Sequence, residues 1–363
     1  MKKLVLIGGG HSHALVLNDL RKSPMDDVEI TVINPGRSAP YSGMLPGFVA
    51  GHYTRDQLDI DLDLLTKSVG ARLIDGKACA LDADERSVVL DDGQKLSFDA
   101  ASFDVGITSR MAQLEGFEEY ATPAKPLGGF ADRWEVFLNR ARNPRIVVIG
   151  GGVAGAELAM AMAHAFATKK STATVHLLDR GEALSALSAP ARKKIQNSLK
   201  RWGVVVRSHV NIAAVKNDAI ELSDGEAIGA DFIVGAAGAT PHPWIQDTGL
   251  ELHDGYIRVD ANLVSSMDGV FAVGDCAHML QNPRPKAGVY AVRQAPILLE
   301  NIRSYLSGEE LKPYVPQSDY LKLVSLGGQR ALGEKFGLVF SGNLAWRLKN
   351  RIDQQFMDQF KSS

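Results

Sequence analysis

Gly8, Gly9 and Gly10 close the apolar run 4–7 and lead into an Ala/Leu-rich helical pattern. Gly150, Gly151, Gly152 and Gly155 repeat the arrangement after the run 145–149. A strand that stops in such a turn aims the first free N–H groups of the next helix at one point. Backbone and helix dipole there favour a pyrophosphate. One copy is a weak signal. Two in register within one chain point to two dinucleotides, and to electrons passing between them.

The first turn departs from the usual fingerprint. Gly8 and Gly10 make the tight turn and admit phosphate, but His13 stands where a third glycine normally permits close helix–strand packing. Asn34, after the second strand, stands where an acidic residue usually holds the adenosine ribose. The second turn is complete, with Gly150, Gly152 and Gly155 at full spacing and Asp179 ending the next strand. A carboxylate there binds both ribose hydroxyls of NADH and repels the 2′-phosphate of NADPH, while the neighbouring Arg180 could host that phosphate. NADH is the expected coenzyme. Gly274-Asp275 ends a third apolar run, placing one carboxylate close to backbone where a ligand hydroxyl can donate to it. Glu157 starts an otherwise apolar helix and is a candidate catalytic residue, positioning a nicotinamide amide or pairing with a cation, although the helix dipole alone favours an acid there. Lys125, between two prolines in a linker, is a weaker catalytic candidate.

Other chemistries are excluded. The two cysteines, Cys79 and Cys276, lie far apart and form no Cys-x-x-Cys pair, so a dithiol relay is not expected. The histidines are scattered, and no metal-ligand or Ser-His-Asp cluster is evident. Of 363 residues, 45% are hydrophobic and 23% charged, and the net charge is −2. These values fit a soluble enzyme and give no electrostatic reason to expect nucleic acid. Met1-Lys2-Lys3 and the short run after it superficially resemble a signal peptide, but the run ends in glycines and is expected to be a buried strand. No stretch is long and apolar enough to span a membrane. The expected location is cytoplasmic, with association at the cytoplasmic face of the membrane left open.

These residues need βαβ units to hold them. Period-2 and continuous apolar runs predict strands at 3–7, 28–33, 71–75, 87–90, 145–149, 174–178, 204–206, 219–222, 231–236 and 270–273. Helical periodicity covers 11–21, 56–66, 130–142, 153–168, 190–202 and 287–306. Asp92-Gly93 and Asp224-Gly225 mark hairpin turns, so each nucleotide unit carries a βαβ core and a small meander. Pro296 is expected to kink the 287–306 helix. At the C-terminus Leu344, Ala345, Leu348, Ile352, Phe356 and Phe360 share one helical arc, opposite Arg347, Arg351 and Asp358. Such a face can rest on the core, a second subunit or a membrane surface.

The order of motifs resembles the two-dinucleotide-binding-domain flavoproteins, the pyridine nucleotide–disulfide oxidoreductase superfamily, over residues 1–310. Segments 98–106 and 233–241 resemble its two crossover motifs. The resemblance implies an α/β fold of two Rossmann-like domains: 1–118 and 254–310 forming a discontinuous FAD-binding domain, 119–253 an inserted NAD(H)-binding domain, and 311–363 a small C-terminal segment. It implies FAD on Gly8, Gly10, His11, Ser12, His13 and Asn34, with Asp275 after Gly274 holding the ribityl chain. Ala78, Gly106 and Gly238 join the cofactor-binding set. Within the superfamily, residues 8–13, 39–47 and 286–294 resemble type II NADH dehydrogenases, and more narrowly flavoprotein modules fused ahead of selenide, water dikinase domains. That likeness places Pro40, Tyr41, Ser42 and Met44 beside the isoalloxazine and Glu157 near the nicotinamide–flavin contact. N–H groups of Gly288, Val289 and Tyr290 would face the N1/C2=O edge, where reduced flavin gathers charge. The expected activity is FAD-dependent NADH dehydrogenation with a quinone or other small acceptor. The alternatives are a sulfide- or selenide-oxidising flavoprotein and a redox-sensing FAD/NADH-binding protein. The tail is expected to reach the acceptor, a membrane surface or a homodimer partner.

Overall fold

The computed structural model describes residues 1–361. Two parallel five-stranded sheets organise it. The first has the order Val270–Ala272, Ala100–Phe103, Lys2–Ile7, Val28–Asn34, Arg72–Asp75. Its strands come from both ends of the chain, with Ala101 pairing Val270. The second has the order Thr122–Pro123, Phe232–Gly235, Arg145–Ile149, Thr174–Leu178, Val205–Arg207. The central strands are apolar on both faces and buried on both, as a parallel sheet covered by helices requires. The fold is the Rossmann-like α/β architecture that the motifs imply.

Helices His11–Leu20 and Gly288–Ser307 pack against each other beside the first sheet. Helix Val153–Thr168 is almost wholly buried, because Ala and Met surround it on every side. It touches the second sheet, helix Leu45–Val49, helix Ala189–Arg201 and strand Lys322–Ser325. Both Asp-Gly turns close antiparallel meanders, Ala78–Asp82 with Ser87–Leu90 and Lys95–Ser97, and Ile212–Val215 with Ala219–Leu222 and Ala227–Gly229.

One expectation changes. The predicted helix 56–66 is interrupted: Asp59–Asp61 pairs with Ser38–Pro40, and the Asp61 carboxylate then caps the next helix at Leu64 N–H, 2.9 Å away. Gly288–Ser307 is one helix with Pro296 inside it. In the C-terminal α/β segment, residues 322–342 form an antiparallel sheet, Lys322–Ser325, Ala331–Lys335 and Leu338–Gly342. Phe336 and Gly337 make its two-residue turn, both at positive φ (49° and 77°), the geometry that lets a hairpin keep its twist. Helix Asn343–Asp358 packs on this sheet.

Candidate functional site

The two glycine turns are built by close approach. A Cβ on Gly8 would lie 2.4 Å from the Asp104 carbonyl oxygen, and one on Gly155 only 1.9 Å from the Gly150 carbonyl oxygen. Only glycine permits these strand–helix contacts. Gly152 faces open space, and it caps Val153–Thr168 with no side-chain acceptor, so that helix start is free for a phosphate. Asp179 accepts the Gly151 N–H at 2.5 Å and the Gly181 N–H at 2.7 Å, holding its carboxylate at the rim of the turn. The residues fit a dinucleotide.

At the first turn three of the assigned residues are held by contacts within the protein. Asn34 takes the Gly9 N–H on Oδ1 at 2.9 Å and donates Nδ2 to the Pro35 and Gly36 carbonyls, so its amide shapes the turn as the Asp179 carboxylate does at the second. Ser12 donates its N–H to Asp104 and its hydroxyl to the Ala291 carbonyl. His13 is turned into the core, with Nδ1 2.6 Å from the Gly8 carbonyl oxygen and Nε2 2.8 Å from Ser102 Oγ. Burial lowers its pKa to about 4, so the ring is neutral. A sheet with a buried serine can accommodate an imidazole where a glycine usually sits.

Lys125 and Asp275, chosen separately from sequence, meet: Lys125 Nζ lies 2.8 Å from an Asp275 carboxylate oxygen. Gly274 donates its N–H to Gln294 Oε1. Gly106 and Gly238 adopt positive φ, 66° and 69°, and both face open space. Gly288, Val289 and Tyr290 begin Gly288–Ser307, and Ser42 Oγ lies 3.3 Å from where a Gly288 Cβ would be. Loop 39–47 and this helix start are therefore neighbours. Ala78 is buried at the start of a meander strand, opposite Leu90.

The tail joins the same place. Phe356 stacks on Tyr41 at 4.3 Å, and His11 sits edge-on to Tyr41 at 5.3 Å. Ser42 donates its N–H to His11 Nε2, which burial keeps neutral with a pKa of about 4. Pro40 ends the short strand before Tyr41, and Met44 is buried ahead of Leu45–Val49.

Beside this aromatic group lies a buried acid–base array. Glu157 Oε1 accepts the Ser325 N–H at 2.6 Å, and burial raises its carboxyl to about 7 against the attraction of Lys349. Lys349 donates to the Gly43 carbonyl at 2.6 Å and to Asp353 at 2.5 Å. The Asp353 carboxylate faces the Tyr41 phenol, whose pKa burial and that charge push up. Sequence reasoning missed Lys349 and Asp353. Their signal was an i,i+4 ion pair set within an amphipathic helix. It was hidden because the tail helix buries a stripe only partly shared with the apolar arc: Leu344, Leu348 and Ile352 are exposed, while Ala345, Trp346, Lys349, Asp353 and Met357 are buried and Phe356 and Phe360 pack against the core. Arg347, Arg351 and Asp358 stay exposed, as the arc implied.

Among the described residues no group of His, Cys, Asp and Glu could hold a metal ion, and no helix is long and apolar enough to cross a membrane. Cys79 and Cys276 are both free, and Cys276 is buried with its thiol pushed up to about 12.

The chain is 26% identical to a NADH dehydrogenase-like protein, YutJ, of Bacillus subtilis strain 168, covering 99% of both chains. It is 26% identical to the demethylphylloquinone reductase NdbB of Synechocystis sp., over 78% of this chain and 73% of that protein. Its fold matches the NDH2 structure of Plasmodium falciparum in complex with NADH at a TM-score of 0.82 and 12% identity, covering 99% of this chain and 97% of that one. The cofactors of the family and of its structural neighbours, and of this chain with them, are FAD and NADH. The family model of the pyridine nucleotide-disulphide oxidoreductases matches residues 2–295, and the chain belongs to that family as a NADH dehydrogenase-like flavoprotein oxidoreductase.

Proposed function

We propose that this protein oxidises NADH through FAD and delivers the electrons to a quinone-like acceptor. The observation that carries the reading is the convergence of loop 39–47, the Gly288 helix start and the tail on one aromatic and acid–base cluster. Bound FAD and NADH would supply the two-electron chemistry, and the protein positions them. Gly8, Gly10 and His11 would hold the FAD end, with Asp275, kept in place by Lys125, accepting from a ribityl hydroxyl. Gly150, Gly152 and Gly155 would take the NADH pyrophosphate, and Asp179 its ribose.

Reducing a quinone with NADH consumes one proton in addition to the hydride. Glu157, titrating near neutrality, is suited to supply it, with Lys349, Asp353 and Tyr41 holding the charge balance. The chain's two cysteines are unpaired, so electrons leave to a bound molecule instead of a thiol pair. Phe336, Leu338 and Phe340 on the C-terminal hairpin and Leu344, Leu348 and Ile352 on the tail helix are exposed apolar residues, and Lys335, Arg347 and Arg351, interspersed with them in the sequence, are exposed too. Apolar residues flanked by cations suit the surface of an anionic bilayer, the reservoir of a lipid-soluble acceptor.

Anaerobic mixing with NADH and then with a quinone, following flavin absorbance, tests the reading. Bleaching by NADH and recovery on quinone addition are expected. Bleaching without recovery would remove the quinone, and no bleaching would remove the dehydrogenase.

A further inference from the structure

Asp104 ends the strand next to Lys2–Ile7 and is 4% exposed. Its Oδ2 accepts N–H bonds from Ser12 at 2.8 Å and His13 at 3.2 Å, two of the free donors at the start of His11–Leu20. Its carboxyl lies against the Cα of Gly10: a Cβ there would be 2.3 Å from the Asp104 Cγ. A Cβ on Gly274 would be 2.6 Å from Oδ1. The side chain thus sits between the first phosphate turn and Gly274-Asp275. At the second turn, Gly152 has no comparable neighbour. One turn therefore carries an internal anion where the other presents free N–H groups.

We propose that Asp104 is a proton-coupled gate for the flavin nucleotide, ionised when the first turn is empty and protonated when a pyrophosphate occupies it. This rests on the assignment of FAD to that turn. With the turn empty, the carboxylate satisfies the Ser12 and His13 N–H groups and its charge is stabilised by the helix start. A pyrophosphate brought alongside is a second anion in a buried, low-dielectric place, and the repulsion is relieved when Asp104 takes one proton from solvent. Neutral Asp104 still accepts both N–H bonds on Oδ2, so the turn keeps its shape. Burial and the nearby Asp275 charge already bring this carboxyl to about 7, so the exchange falls in the working pH range. The other groups facing it change little there. His11 and His13 stay neutral, and the Cys276 thiol stays protonated. Asp275 is paired with Lys125, and Lys286, bonded to the Ala277 carbonyl, is the remaining cation.

FAD retained by the holoenzyme is measured by ultrafiltration at several dilutions between pH 6 and pH 9. Binding linked to one proton weakens about tenfold per pH unit above the carboxyl's own pKa, about a hundredfold from pH 7 to pH 9. Asp104→Asn keeps the acceptor oxygen and cannot ionise, so its retention should be flat with pH. Lys286→Gln should keep the wild-type slope. Infrared difference spectra, wild-type holoenzyme minus Asp104→Asn at one pH, give a second readout: the carbonyl band of protonated Asp104, with the Glu157 contribution common to both proteins cancelled. One FAD per chain at pH 6 with a flat wild-type profile overturns the gate and leaves the site assignment standing. So does a slope that survives in Asp104→Asn, or the missing carbonyl band. Protein that carries no FAD at pH 6 overturns both.

Discussion

Replacing Glu157 with Gln separates its energetic cost from its proposed work. Burial raises this carboxyl from 4.5 to about 7, so the fold favours its neutral form. The stability tied to that form is complete below pH 4.5 and is lost as pH rises through 7. Above pH 7 the ionised group costs about 3 kcal/mol, at 1.36 kcal/mol per pKa unit. Gln cannot ionise, and its carbonyl can still accept the Ser325 N–H. The variant should therefore gain up to about 3 kcal/mol at pH 8 and almost nothing at pH 4.5. For a chain of 363 residues that is a rise in Tm of roughly 4 °C, at the higher pH only. Thermal unfolding at the two pH values measures it. Stopped-flow measurement of the two half-reactions gives the functional side. NADH-to-flavin transfer should be unchanged, while quinone reduction slows by about 10²–10⁴-fold, the usual worth of a general acid. A loss at pH 8 would show that attraction between ionised Glu157 and Lys349 outweighs burial, and an equal Tm gain at both pH values would show that ionisation of Glu157 is not its cause. An unchanged quinone step would remove Glu157 from proton delivery.

Three further changes test other parts of the site. Asp275→Ala should weaken FAD binding by roughly 1.5–3 kcal/mol through loss of a charge-assisted bond, and full flavin retention in that variant would count against the ribityl assignment. Asp179→Ser should narrow the advantage of NADH over NADPH in flavin reduction; wild-type protein reduced faster by NADPH would hand that role to Arg180. Leu344→Glu with Leu348→Glu should cut sedimentation with anionic liposomes while leaving Tm unchanged, since both side chains are exposed, at 78% and 38%. Liposome binding equal to wild type would disprove the bilayer surface.

The two phosphate turns were legible in sequence because their cause is local. Gly150, Gly152 and Gly155 sit at fixed spacing after an apolar strand, and a glycine is required wherever a Cβ would meet backbone. The Asp-Gly meander turns and Gly274 are local for another reason: Gly93, Gly225 and Gly274 sit at positive φ, 85°, 92° and 66°. The pairing of Lys125 with Asp275 was not legible, since it joins residues remote in sequence whose distance depends on how the linker crosses the first sheet. Asn34 and His13 show the limit of motif reasoning: their positions were found, but their side chains are consumed by the Gly9 N–H and by Ser102.

The tail is where sequence pattern and tertiary structure part most clearly. Periodicity alone determined that residues 343–358 form an amphipathic helix, because side chains three and four apart share a face whatever surrounds them. Which face turns inward was decided by the site it covers. Lys349 finds the Gly43 carbonyl and Asp353 there, and Tyr41 finds Phe356. Ala345, Trp346 and Met357 pack into the core on the same stripe, which carries Lys349 and Asp353 inward as a paired couple and leaves the leucines facing out. Local spacing was enough to specify two glycine turns and the strands and helices that carry them. Which acids and bases come together at the tail was set by packing, because long-range contacts leave no period in the chain.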